Sequence, residues 1–182
     1  MTKSIRDTQE NFPHRLGKVM LLAAWVVALG LLTLLFRSVL QELENPNRNV
    51  QVVPGVQQRP EVVLERNRAG HYVASGRING QPVVFLVDTG ATDVAVPGEV
   101  AQLLGLRKGS PRISRTANGD VKVWGTRLHS VDLGGIVRHD VRATILPNMA
   151  GDQVLLGMSY LKELELVQSG NTLRLRYPGE AG

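Results

Sequence analysis

Asp88 is the residue of this sequence best placed to do chemistry. It closes the apolar run Val84-Phe85-Leu86-Val87 and is followed by Thr89-Gly90-Ala91, after which Val94-Ala95-Val96 is apolar again. A carboxylate at the end of a strand apolar enough to be buried is costly unless it is hydrogen-bonded or paired. An isolated Asp-Thr-Gly would fit a turn in which the aspartate caps its own backbone. The apolar strands on both sides set this one apart and point to a held, functional carboxylate. Other constellations are weaker. Ser159-Tyr160-Leu161-Lys162 has the Ser-x-x-Lys spacing of serine acyl-enzymes, but the companion Ser-Asp-Asn and Lys-Thr-Gly motifs are absent. His14, His71, His129 and His139 include no i, i+4 pair, so no metal site and no cofactor is expected. Gly134-Gly135 is not followed by Lys-Ser or Lys-Thr and makes no phosphate loop. Asp132-Leu133-Gly134 imitates the Asp-Thr-Gly pattern without its hydroxyl and reads as an ordinary strand-end turn.

Residues 61–177 resemble the retropepsin-like aspartic proteases, the single-lobe type of retroviral proteases and of a bacterial membrane-anchored group. Three elements carry the resemblance: Val87-Asp88-Thr89-Gly90-Ala91, a flap-like hairpin over 112–128, and Leu155-Leu156-Gly157 followed by a short helix at 158–162. Thr92 departs from the family, whose retroviral members usually carry an acidic residue there; Asp93 follows it. The resemblance implies an all-β fold, a closed, mostly antiparallel β domain equivalent to half of a pepsin-like fold, with one or two short helices. It assigns Asp88 as catalytic residue, Thr89, Gly90 and Ala91 as its support, Ala117, Asn118 and Gly119 as flap, and Leu155, Leu156 and Gly157 as the second apolar-apolar-Gly element. It also implies a Thr89 hydrogen bond across a two-fold axis and a protein or peptide substrate. Aspartic peptide hydrolysis needs two carboxylates about 3 Å apart that share one proton, since like charges that close do not both ionise. One is base toward a water and the other donates to the scissile carbonyl. One such aspartate in the chain requires a second copy, hence a homodimer. The alternative is a peptide-binding or assembly module of the same fold at the membrane, without a productive dyad. Such a module has no use for a costly carboxylate in a Thr-Gly frame.

The elements around these residues must hold them. With 182 residues the chain has room for one ordinary domain plus appendages, and with no cysteine it has no disulfides, thiolate metal sites or cysteine nucleophile. The net charge of +5 arises partly before residue 38, where Lys3, Arg6, Arg15, Lys18 and Arg37 outnumber Asp7 and Glu10, so nucleic-acid binding is not expected. Val19 to Phe36 is a run of 18 uncharged residues, about 27 Å as a helix against a hydrocarbon core of about 30 Å. A cleavable signal peptide would need small residues at alternate positions after that run, where Phe36-Arg37-Ser38-Val39-Leu40 stand instead, so an uncleaved anchor is favoured. Cations preceding the span place the N-terminus in the cytoplasm and the body in the periplasm of a bacterium, with the chain single-pass in the inner membrane. The expected organisation is a cytoplasmic tail over 1–18, a transmembrane helix over 19–36, a tether over 37–60 whose first residues could prolong the helix, the protease domain over 61–178, and a tail over 179–182. Asn79-Gly80 suits a tight turn between strands at His71 to Ile78 and Gln81 to Val87. A second hairpin is expected at Arg112 to Ala117 and Val121 to Leu128. Further strands are expected at Glu61 to Glu65, Ser130 to Leu133, Val137 to Leu146, Leu164 to Gln168 and Thr172 to Tyr177. Short helices are expected at Gly98 to Leu104 and Met158 to Lys162.

Overall fold

Asn79 and Gly80 both take positive φ, 51° and 79°, the combination a two-residue hairpin requires. Strand β3 (Val73–Ile78) therefore folds straight back onto β4 (Gln81–Val87), with Ile78 opposite Gln81 and Val73 opposite Leu86. The computed structural model describes residues 11–55, 59–116 and 119–178, in two units, Met1–Glu42 and Leu43–Gly182. The described residues of the first unit all belong to helix α1, which runs Asn11–Glu44, past the expected span at both ends and two residues beyond the unit's boundary. Its apolar residues from Val19 to Phe36 are exposed. The helix is long and apolar enough to cross a membrane, as an anchor or a signal sequence would be.

In the second unit the remaining elements are β1 (Gln51–Pro54), β2 (Pro60–Glu65), β5 (Val94–Pro97), α2 (Gly98–Leu103), β6 (Pro111–Thr116), β7 (Gly119–Leu133), β8 (Ile136–Leu146), β9 (Gln153–Leu156), α3 (Met158–Leu161), β10 (Glu165–Ser169) and β11 (Thr172–Arg176). The larger sheet has the order β3-β4-β9-β5-β8-β7-β6, and β3 also pairs with β7 at Arg77 and Ile78. Six strands thus close on themselves with β6 outside, which satisfies nearly every edge. The domain is mostly antiparallel, as expected, with two exceptions, because β4–β9 and β5–β8 pair in parallel. Parallel neighbours need a long crossover, and the chain between β4 and β9 supplies it. Strand β7 is continuous through His129, where a break between two strands was expected. Its first half pairs with β6 and its second with β8, so one bent strand serves both neighbours.

The core lies inside this closed sheet. Phe85, Leu128, Ile136, Ile145, Leu156 and Tyr160 are wholly buried, each contributing on the order of 2 kcal/mol by removal from water. β5 is buried along its whole length, as its apolar sequence between two sheet neighbours demands. The Tyr160 hydroxyl donates to the Ile136 carbonyl at 2.7 Å, and burial pushes its pKa far above the usual phenol value, so it stays a neutral donor.

The expected tether is in part structured. β1 pairs with β2 in a second sheet ordered β1-β2-β11-β10, and Asn45 and Asn47 are buried. The Asn47 amide nitrogen donates to the carbonyls of Glu65 at 2.9 Å and Val73 at 2.7 Å, while its oxygen accepts from the Glu65 N–H at 2.7 Å. That side chain stitches the two sheets together. A Pro- and Asn-rich composition fits a tether and a polar clamp equally well, so composition alone did not separate them.

Candidate active site

The chain leaves β4 at Asp88, and three hydrogen bonds from main-chain N–H groups, two to carbonyls and one to the Asp88 carboxylate, fix the turn that follows. The Asp88 N–H donates to the Leu156 carbonyl at 3.2 Å and the Ala91 N–H to the Asp88 carbonyl at 3.3 Å. The Gly90 N–H donates to Asp88 Oδ1 at 2.9 Å. One carboxylate oxygen is thus held by the main chain while the residue remains half-buried at the surface. A Cβ on Gly90 would lie 3.2 Å from that same oxygen, so a side chain there would crowd the carboxylate. Thr89 is exposed beside a cavity of about 250 Å³ that it shares with Tyr72, Val87, Leu166, Gln168 and Leu173.

Leu155-Leu156-Gly157 lies directly behind this turn. β9 runs alongside β4 with Leu155 opposite Leu86 and Leu156 opposite Val87. Gly157 is packed so tightly that a Cβ would fall 2.3 Å from the Asp93 carbonyl oxygen and 2.7 Å from that of Ala91. The next two N–H groups grip the same loop, Met158 donating to Ala91 at 2.8 Å and Ser159 to Thr92 at 2.9 Å. Residues 88–91 and 155–157, far apart in sequence, therefore form one unit.

The Ser159 hydroxyl is committed to structure. It donates to the Arg142 carbonyl at 2.7 Å and accepts from the Val94 N–H at 3.0 Å, which bridges α3, β5 and β8 and leaves no proton for the Ser-x-x-Lys chemistry. Ser159→Ala should destabilise the protein by about 1–2 kcal/mol, the cost of a part-buried N–H left without its acceptor. A urea titration reads this as a lower midpoint at unchanged slope; an unshifted midpoint would contradict the bridging role.

Asp93, adjacent to the departure at Thr92, has a side chain only 15% exposed, with Arg142 at 3.5 Å and Arg112 at 3.9 Å. It ties the loop after Asp88 to β8 and to the flap-like strand β6. Sequence reasoning flagged Asp93 without finding these partners, because neither arginine is near it in the chain. β6 and β7 form the expected hairpin, paired from Pro111–Trp124 to Thr116–Gly119. Of the three residues expected to form a flap, Gly119 opens β7, while Ala117 and Asn118 lie outside the described residues. Asp132 Oδ1 accepts from the Gly135 N–H at 2.8 Å, so the imitation motif is a hairpin turn, as expected. Among the described residues no three His, Asp or Glu side chains gather as a metal site.

Comparison with known proteins agrees with this geometry. The family model for the gag-polyprotein putative aspartyl protease matches residues 74–163. A retropepsin-like aspartic protease of known crystal structure from Rickettsia conorii is 34% identical, with a TM-score of 0.54, over 63% of this chain and 98% of that one. An uncharacterized protein in the cobV 5′ region of a Sinorhizobium species is 36% identical over 120 residues, 64% of this chain and 52% of the relative. The uncharacterized protein RP867 of Rickettsia prowazekii (strain Madrid E) is 34% identical over 108 residues, 58% of this chain and 46% of the relative. The chain spans about half the length of these two curated relatives. A mostly-β closed sheet, an Asp-Thr-Gly turn at its mouth and a Leu-Leu-Gly element locked behind it fit these matches, and the chain belongs to the retropepsin-like aspartyl protease family, a family of aspartic-type endopeptidases.

Proposed function

We propose that this chain is a membrane-anchored aspartic endopeptidase, active as a homodimer in which the Asp88 carboxylates of two copies share one proton and activate a water. The observation that carries this reading is the single framed carboxylate: Asp88 is held by the Gly90 N–H at the surface, and Asp132 is occupied in a hairpin turn. Two carboxylates about 3 Å apart are needed for acid-base hydrolysis of a peptide bond. One Asp88 takes the proton from water as it attacks the scissile carbonyl, and the other, protonated, donates to the carbonyl oxygen. Thr89, Gly90 and Ala91 orient the pair, with Thr89 bonding across the two-fold axis. The hairpin carrying Ala117, Asn118 and Gly119 serves as the flap over an extended protein or peptide substrate and excludes water. Helix α1 anchors the chain in a bacterial inner membrane, with the N-terminus cytoplasmic and the body periplasmic. Confinement to a plane then raises the effective concentration of half-sites.

The test is stoichiometric. Specific activity on a denatured protein mixture should fall as the body from residue 43 onward is diluted, and fall less for the membrane-held chain at equal total protein. Excess Asp88→Asn chains should poison wild type beyond dilution, since a mixed dimer has one carboxylate and one amide. Activity independent of concentration and free of poisoning would mean a monomeric catalyst and end the half-site reading.

A further inference from the structure

We propose that the cleft between the 105–109 loop, the base of the β6–β7 hairpin and β8 is a docking site for an acidic segment of polypeptide, separate from Asp88. The cleft has a volume of about 610 Å³ and is walled by Arg107, Lys108, Arg112, Arg127 and Arg142, with no carboxylate among its lining residues. Nearby anions do not balance these five cations. Asp93, outside the lining, is shared by Arg112 and Arg142, and Asp140 takes Arg127. Lys108 rests its ammonium 4.8 Å from the centre of the Trp124 ring, a contact that leaves its charge without a carboxylate. Arg107 makes neither a hydrogen bond nor an ion pair among the described residues, and it is exposed.

Like charges gathered within about one Debye length, roughly 8 Å at physiological salt, repel one another. An anionic ligand relieves that repulsion and gains charge-assisted hydrogen bonds, for which guanidinium forks match carboxylates two oxygens at a time. The cleft is open, and its shape alone would accept a lipid headgroup or a polypeptide; the strand edge beside it selects the polypeptide, since a headgroup layer offers no backbone to pair with it. β6 is the outer strand of its sheet and pairs with β7 alone among the described residues, so a strand-like ligand finds backbone partners beside the arginines. Glutamate- or aspartate-rich extended polypeptide combines both features.

The test reads binding alone and so stands or falls apart from the proposed peptidase activity. Full-length chain in zwitterionic detergent is titrated with a fluorescein-labelled octa-glutamate peptide, following the anisotropy of the label. Saturable binding is expected, weakened at least about tenfold by Arg107→Glu with Lys108→Glu and less by Arg107→Ala with Lys108→Ala. Arg59→Glu with Arg68→Glu, the same charge change at exposed positions elsewhere, should shift affinity by under about twofold. Absence of saturable binding, or equal loss in both charge reversals, would overturn the proposal. So would phosphatidylglycerol vesicles whose binding depends on Arg107 and Lys108 while the peptide shows no such dependence, an outcome that would make the cleft a membrane contact.

Discussion

Asp88→Asn should abolish peptidase activity and leave the protein folded. The amide keeps the size of the carboxylate and an oxygen able to accept the Gly90 N–H, now at 2.9 Å, so the turn at the end of β4 has no reason to open. The side chain can no longer take a proton from water or share one across a two-fold axis. General acid-base catalysis contributes typically about 10² to 10⁴ in rate, and in a homodimer one substitution removes both partners, so a fall of about 10³ or more is expected. Cleavage of a denatured protein mixture, with thermal unfolding of the same samples, measures both halves of the statement. A folded variant retaining activity within about threefold of wild type would move the chemistry away from Asp88. Wild-type protein that binds peptides and cleaves none would favour the assembly-module alternative.

Gly157→Ala should have the next largest effect and act by a different route. Its Cβ would sit 2.3 Å from the Asp93 carbonyl oxygen and 2.7 Å from that of Ala91, both main-chain atoms that no rotamer change can move aside. Relief requires shifting either the 88–93 loop or the junction of β9 and α3, at about 2–4 kcal/mol by analogy with overpacked cores. The same shift displaces the turn that holds Asp88. Misplacing a catalytic group by about 1 Å costs on the order of 10² in rate, so activity should fall at least that far even at temperatures where the variant remains folded. Urea unfolding and residual activity are measured on one preparation. A variant with wild-type midpoint and rate would show that Leu155-Leu156-Gly157 does not brace the site.

Much of the body was legible residue by residue. The Asn79-Gly80 hairpin, the helix over Gly98–Leu103, the strands at Gln81–Val87 and Thr172–Arg176 and the turn at Asp132 each rest on a neighbourhood of a few residues. Alternation, β-branching and turn chemistry act over that range. The Asp88 motif was legible for the same reason: its Thr-Gly frame and flanking apolar strands are contiguous. The errors fall where composition is ambiguous or partners are distant. Gln51–Pro54 read as tether because a polar, proline-bearing segment gives no sign that Asn47 will find the Glu65 and Val73 backbones. The want of companion motifs rightly discounts Ser159 as a nucleophile, but its role in tying the Arg142 carbonyl to the Val94 N–H was hidden because both partners are distant in the chain.

The chemistry of the chain, one framed carboxylate with no cysteine and an apolar helix before the body, follows from residue types and near neighbours, because desolvation cost and turn geometry are local properties. Which strand lies beside Asp88 is another matter. Closing six strands into one sheet selects β9 as the parallel neighbour of β4, and that choice brings Gly157 against the loop that follows Asp88, Asp93 between two arginines and five cations around one cleft. These are pairings between segments tens of residues apart. Their free energy comes from packing and sheet closure over the whole domain, and no local window of residues carries it.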